Sequence, residues 1–361
     1  MKKWFTTFCL ISSFQISFGQ DDAAMAAPLG TIMAPTTGCA LTNSEAVTIR
    51  IFNSGPGTIN APFDVSFNIT GPVNSSATET VLVGSIPMNS TFTYTFTAAA
   101  DLSIAGVYSM DATVTVAGDP NATNNTYTGY SITNNAASNG GTATGGTTVC
   151  NGNNTGNITL AGNVGNVLNW EYSDDLGITW FNISNTTTSQ SYDDLTTQTW
   201  YRANVQNASC AVSTSTIAVM LIDPVSVGGT TSGGTTPACQ GANSGTISLS
   251  GKTGNVLQWE FSTDGGATWT VIANTATTNP YLNLTTTTRF RALVQSGVCA
   301  PAYSTQRIIT INPTTVGGTV TLDATECAGT NGATLNLGGQ TGTVQNWQYS
   351  TDGGTIWNNI V

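Results

Sequence analysis

Asn255–Trp269 reads NVLQWEFSTDGGATW. Almost the same letters stand at Asn166–Trp180, NVLNWEYSDDLGITW, and return at Thr343–Trp357 as TVQNWQYSTDGGTIW. Trp170, Trp259 and Trp347 are 89 and 88 residues apart, and the Gly-Gly pairs opening at Gly140, Gly228 and Gly317 are 88 and 89 apart. Agreement between independent landmarks marks a tandem array, so one repeat is the unit to explain. The third copy reaches Val361 about half a repeat in. The chain therefore reads as part of a longer one, with 317–361 expected to be poorly supported.

Within a copy, Leu168, Trp170 and Tyr172 alternate with Asn169 and Glu171, and Leu257, Trp259 and Phe261 with Gln258 and Glu260. A period of two puts the large side chains on one face of a strand, which makes Trp170, Trp259 and Trp347 core anchors. Further on, Tyr201, Ala203 and Val205 point inward, and Trp200, Arg202 and Asn204 outward. Glu171 and Arg202, like Glu260 and Arg291, are then expected as exposed cross-strand ion pairs worth well under about 1 kcal/mol each. Trp200 is the best surface aromatic. It reads either as covered by an interdomain contact or as a candidate ligand contact stacking on a sugar ring.

Each copy also carries a turn. Ser173, Asp175, Gly177, Thr179 and Trp180 recur as Ser262, Asp264, Gly266, Thr268 and Trp269, and less completely as Ser350, Asp352, Gly354 and Trp357, with Ile356 in the Thr position. The pattern resembles the Asp-box of sialidase-like propellers, whose chemistry is structural: Asp accepts backbone N–H groups, Gly takes an unusual φ and Trp packs over the turn. A sialidase would also need an arginine cluster, whereas the five arginines here are spread along the chain. An 89-residue period is also too long for a propeller blade. The chain has no histidine, the commonest general base and zinc ligand at neutral pH. No Gly-rich phosphate loop opens a helix, and Asp174–Asp175 and Asp193–Asp194 are turn neighbours rather than a paired-carboxylate site. No catalytic residue, cofactor or metal is assigned.

Residues 1–19 read as a secretory signal: Lys2 and Lys3, a mostly apolar run from Trp4 to Ile16, then small residues at Ser17 and Gly19. The run is too short to span a bilayer, so no membrane insertion is expected. The formal net charge of −11, with only 7% of residues charged, disfavours nucleic acid and anionic lipid. In residues 26–134, strands are expected at Val47–Ile51, Phe63–Ile69, Thr80–Ile86, Thr91–Thr97, Val107–Val116 and Thr126–Ile132. Asp119, Asn121, Asn124 and Asn125 read as a hairpin turn bonding its own backbone, with calcium ligation as the alternative.

In an oxidising compartment Cys150 is expected to pair with Cys210, and Cys239 with Cys299, each closing a 60-residue loop worth roughly 4 kcal/mol. Cys327 stands where copy three has its first cysteine. Cys39 is either a buried thiol or paired outside its domain.

Asp101–Thr128, with its Gly-Val-Tyr entry to a long strand, Gly-Asp-Pro-Asn turn and Asn-Asn, resembles the last hairpin of bacterial CARDB-type domains, immunoglobulin-like modules associated with adhesion. Leu195, Thr199 and Tyr201, and Leu284, Thr288 and Phe290, resemble the corner before the sixth strand of fibronectin type III and immunoglobulin sandwiches, although Phe290 lacks the corner hydroxyl. The whole is similar to large surface adhesins of the Bacteroidetes type. The implied architecture is all-β: tandem immunoglobulin-like antiparallel β-sandwiches joined as beads on a string, after a signal peptide at 1–19. A CARDB-like domain occupies 26–134, repeats occupy 140–227 and 228–316, and a truncated repeat occupies 317–361. The implied function is that of a non-catalytic secreted or cell-surface adhesin with an unidentified protein or glycan ligand. The alternative is a glycan-binding accessory region of an exported polysaccharide-degrading enzyme.

Overall fold

A computed structural model describes residues 21–25 and 30–360. The signal-peptide reading at 1–19 lies outside them. The described residues contain strands and turns and no helix. Two compact units emerge. One holds residues up to Gly146 with Gly156–Tyr192 and Thr199–Val219, and the other holds Thr147–Thr155, Asp193–Gln198 and Met220–Val361.

In the first unit, Thr48–Asn53 pairs with Ala23–Ala24, Thr31–Ala34 and Thr91–Thr95 in one sheet. A five-stranded sheet runs in the order Gly38–Cys39, Thr126–Asn135, Gly106–Thr115, Phe63–Thr70, Ser75–Val81. Phe63–Thr70 alternates buried and unburied residues along its length, as period two requires. Ile49, Ile51, Val65, Phe67, Tyr108, Met110, Val114 and Ile132 fill one core. The expected single strand Thr80–Ile86 is instead two, Ser75–Val81 and Ser85–Ile86. Leu82 and Val83 between them are exposed, because the chain turns there to pair Ser85–Ile86 with Ile59–Asn60.

Glu79 joins the two sheets at their edge. Its carboxylate accepts the Tyr94 hydroxyl (2.6 Å), the Thr97 hydroxyl (2.7 Å) and the Thr97 and Ala98 N–H groups (3.1 and 2.9 Å). Burial pushes its pKa up, but these donors outweigh it and hold the group at about 2, against 4.5 ordinarily. The folded value is depressed, so this stabilisation is complete above about pH 4.5 and is lost as pH falls through about 2. Glu79→Gln is expected to lower the first domain's stability at pH 7 and to flatten its loss between pH 4.5 and 2, read by acid titration of tryptophan-free aromatic circular dichroism on the isolated signals of that domain. An unchanged acid limb would remove Glu79 from the account.

Copy one contributes Asn166–Ser173, paired with Phe181–Ile183 on one side and Thr199–Gln206 on the other. Thr142–Thr144, Thr155–Ala161 and Ser189–Asp193 form a separate three-stranded sheet. Copy two, in the second unit, repeats the plan. Thr230–Gly233, Ser244–Ser250 and Thr278–Leu282 form one sheet, and Thr270–Ile272, Asn255–Ser262, Thr288–Gln295 and Ala302–Tyr303 the other. Ile247, Leu249, Val256, Trp259, Tyr281, Phe290, Ala292, Val294 and Ile309 make its core. Residues 317–360 form two hairpins, Thr319–Thr321 with Asn336–Gly338 and Trp347–Tyr349 with Asn358–Ile360, and most of their side chains are exposed.

One inward residue is not where alternation puts it. A bulge between Val167 and Asn169, and another between Val256 and Gln258, shifts the register by one. Val167 and Val256 are buried instead, and Leu168 and Leu257 face solvent.

Candidate functional site

The recurrent turn is closed by its own side chains. Ser173 Oγ donates to Asp175 Oδ1 (2.7 Å) and accepts Gly177 N–H (2.8 Å), while Asp175 accepts Thr179 N–H (2.9 and 3.0 Å) and the Thr179 hydroxyl. Trp180 Nε1 donates to Gly177 O at 3.1 Å. Ser262, Asp264, Gly266, Thr268 and Trp269 repeat every one of these contacts. In copy three Asp352 takes Ser350 Oγ and Ile356 N–H, and Ile356 has no hydroxyl to add. The Thr179 hydroxyl, then its N–H and the Ser173 hydroxyl, hold Asp175 at about 2, and the same donors hold Asp264 lower still. A carboxylate so saturated is a structural acceptor and a poor general base.

Beside each of the first two turns lies a stacked ion pair. Arg202 Nε meets Glu171 Oε2 at 2.7 Å, and its guanidinium lies 3.8 Å from the Trp180 ring centre. Arg291 repeats this with Glu260 at 2.7 Å and is sandwiched between Trp269 (3.8 Å) and Tyr303 (3.7 Å). The pairing residues match expectation, but the environment differs. Glu260 is only 5% exposed and also accepts Gln258 Nε2 at 2.7 Å, so the second pair is the more buried of two half-buried pairs. Removing one partner of a buried pair strands the other charge, at a cost of about 3 kcal/mol, against about 1 kcal/mol or less for an exposed pair. Arg291→Met, which strands the more buried glutamate, is therefore expected to cost more than Arg202→Met in urea unfolding. Equal losses would contradict the burial argument.

Trp170 and Trp259 are fully buried, their Nε1 groups donating to Thr187 O and Ala276 O, both at 2.9 Å. Trp347 is half-buried. Trp200 is not a free platform. Its ring packs over the copy-one turn, where a Cβ on Gly177 would lie 3.0 Å from it, and its Nε1 is buried without an acceptor.

The cysteines overturn the expected pairing. Cys39 bonds Cys210, and Cys150 bonds Cys299, with Cα–Cα distances of 5.4 and 4.9 Å. Cys239 is a free, exposed thiol, as is Cys327. Neither Cys150–Cys210 nor Cys239–Cys299 forms, and in copy two the reason is that the two cysteines lie at opposite poles. In copy two Cys239 sits beside Leu284, since Asn243 Nδ2 donates to both carbonyls (2.7 and 2.8 Å). Cys299 follows Gln295, whose Nε2 donates to Cys299 O at 2.9 Å. The whole strand Thr288–Gln295 lies between, about 26 Å at strand rise, where a disulfide needs Cα atoms within about 7 Å.

Each observed bridge therefore clamps a junction. Cys39 pairs in parallel register with Asn135, Cys150 with Asp223 and Cys239 with Asn312, the residue just before each linker. Past the linker, Ser138 Oγ accepts Asn207 N–H and Ser226 Oγ accepts Ser296 N–H, both at 2.9 Å. Asp223 accepts Val298 N–H at 2.9 Å, and a Cβ at position 297 would lie 1.8 Å from its carboxylate, so the glycine there leaves it room. The opening Gly-Gly pairs have a similar cause. A Cβ on Gly140 or Gly228 would stand 2.0 Å from the carbonyl of Thr214 or Tyr303.

A family model described as "Domain of unknown function (DUF8696)" matches residues 139–224, 227–313 and 316–361. The chain belongs to the DUF8696 family. No curated protein matches it. Among solved structures, domains A168–A170 of titin are similar at 12% identity and TM-score 0.34, covering 78% of this chain and 99% of that one. The chicken CNTN1 FN1–FN3 domains are similar at 13% identity and TM-score 0.26, covering 78% and 97%.

Outside the DUF8696 repeats, the Asx cluster of the first domain is bonded partly to itself and partly to the N-terminal strand, and Asn124 Oδ1 and Asn125 Oδ1 are buried without a donor. Asp119 accepts Asn121 N–H (2.9 Å) and Ala23 N–H (3.1 Å), and Asn124 Nδ2 donates to Asp22 (2.8 Å). Among the described residues no three His, Cys, Asp or Glu side chains gather as for a metal, and no helix is long and apolar enough to cross a membrane. The junction residues Asn135, Ser138, Asp223 and Ser226 were not singled out from the sequence. Their signal was their position, at a constant offset from each Gly-Gly pair.

Proposed function

We propose that this chain is a non-catalytic, secreted or surface-bound structural protein in which DUF8696 repeats are stapled into a tension-resisting spacer. A CARDB-like domain at 26–134 would lead repeats at 140–227, 228–316 and 317–361, in the manner of Bacteroidetes-type adhesins. The observation that carries this reading is the pair of overlapping disulfides, Cys39–Cys210 and Cys150–Cys299, each joining successive modules. Disulfides persist in oxidising compartments, and the closed turns and stacked ion pairs stiffen the repeats without presenting a reactive group. The glycan-binding alternative is less favoured, since part of the Trp200 ring packs on its own turn.

The test fractionates native cells and medium and blots with an antibody raised against residues 228–316, after capping free thiols with a mass-tagged maleimide. A surface or medium band with Cys39, Cys150, Cys210 and Cys299 protected is expected. A cytoplasmic band tagged at all four would overturn the reading.

A further inference from the structure

Two junctions of this chain are closed by the same parts, and a third has all of them on one side. At the closed junctions a first cysteine (Cys39, Cys150) lies opposite the residue before the linker (Asn135, Asp223). A serine two residues past the linker's first residue (Ser138, Ser226) takes a backbone N–H from the next module. The incoming module supplies a turn at the end of its long central strand, Val205-Gln-x-x-x-Cys210 or Val294-Gln-x-x-x-Cys299, in which Gln206 or Gln295 donates to the cysteine's own carbonyl. The cysteine sulfur in each lies near the linker carbonyl, Cys210 3.5 Å from Ala136 O and Cys299 3.3 Å from Pro224 O.

The same receiving side recurs after copy two. Cys239 lies opposite Asn312, Pro313 stands at the position of Pro224, and Thr315 at that of Ser226. The first contact of the following module is already in place, with Val316 and Thr341 exchanging backbone hydrogen bonds as Val227 and Thr253 do (2.9–3.2 Å and 3.0–3.2 Å). An independent feature points to the same occupant. Leu249, Val256 and Trp259 are buried in copy two under Phe290, Ala292 and Val294 of the long strand. Their counterparts Leu337, Val344 and Trp347 line an open depression of about 350 Å³ in copy three. The surface fits a strand with alternating apolar residues, and the receiving side fits the cysteine turn that ends such a strand.

We propose that Cys239, with Asn312–Thr315, is a covalent docking site for the Val-Gln-x-x-x-Cys turn that ends the long strand of the adjoining DUF8696 repeat. The thiols of Cys239 and the incoming cysteine give up two protons and two electrons as the S–S bond forms. The electrons pass to a disulfide oxidant, small-molecule or protein, which is reduced to two thiols. The inference deepens the stapled-spacer reading but is tested apart from it, since it concerns pairing and not location.

The experiment extends the full chain after Val361 with a second copy of its own Asn274–Pro313, which supplies the long strand and its turn in register. Val298→Leu in the appended segment makes its cysteine peptide distinguishable by mass. The protein is oxidised with oxidised glutathione and mapped without reduction. The expected result is a bond from Cys239 to the appended cysteine, with Cys39–Cys210 and native Cys150–Cys299 retained. In the extended chain with Cys239→Ser, the appended cysteine should be recovered as thiol or glutathione adduct. A bond from the appended cysteine to Cys327, or no bond to Cys239, would overturn the proposal. A second measurement needs no extension: Cys150→Ser frees Cys299 in the original chain. Cys299 is expected not to bond Cys239, because they occupy opposite poles, and a Cys239–Cys299 bond would equally overturn it.

Discussion

Pulled from its two ends in a force spectrometer, the oxidised protein is expected to lengthen far less than the reduced one. The reason is the covalent graph. The loops closed by Cys39–Cys210 and Cys150–Cys299 overlap, and the shortest path from Cys39 to Cys299 crosses one bridge, runs back along the chain from Cys210 to Cys150, and crosses the other. Only the residues between 150 and 210 can then be drawn out, roughly 200 Å at full extension. With both bridges reduced, the path is the whole chain from 39 to 299, roughly 900 Å. The expectation is thus about a fourfold shorter contour between those points in oxidant than in dithiothreitol. Two bridges confined to single repeats would give a different signature, because each would hide its own sixty residues and leave the linkers and the first domain free to extend. A reductant-insensitive contour would defeat the spacer mechanism at its root.

Trp259→Ala is expected to be the most damaging single substitution in copy two. The indole is fully buried among Ile247, Val256, Phe290 and Ala292, and its Nε1 satisfies Ala276 O. Truncating a buried tryptophan costs about 3–5 kcal/mol, and the carbonyl left without its donor adds to that. For a module of this size the loss corresponds to a fall on the order of 20 °C in melting temperature. Copy three supplies the control. Trp347 occupies the same place in its motif but is half-buried, so Trp347→Ala is expected to cost well under half as much. Differential scanning calorimetry of the two variants beside the parent decides it. A loss below about 1 kcal/mol for Trp259→Ala would mean that the core does not depend on this side chain.

The turns were legible because all their parts lie within eight residues. A Ser, an Asp two on, a Gly four on and a Trp seven on can meet only one another, whatever the rest of the chain does. The partners Glu171–Arg202 and Glu260–Arg291 were legible for a related reason, since two long alternating strands with a fixed inward set leave one register. Their burial was not legible. It depends on Trp269 and Tyr303 closing over Arg291 from two other segments. Trp200 shows the same limit, because its outward position followed from alternation and its cover came from a turn folding back against it.

The sequence by itself determined the repeat, its period, the β class, the tryptophan cores and the turns. All of these follow from short-range pattern and from the two-residue period of a strand. Only the tertiary structure decided the bulges that turn Leu168 and Leu257 outward and bury Val167 and Val256, since a one-residue slip inverts the facing of everything before it. It also decided which cysteines meet. Sequence separation measures the cost of closing a loop but carries no information about which end of a sandwich each cysteine occupies. With an eight-residue strand standing between Cys239 and Cys299, Cys299 instead meets Cys150 of the preceding module.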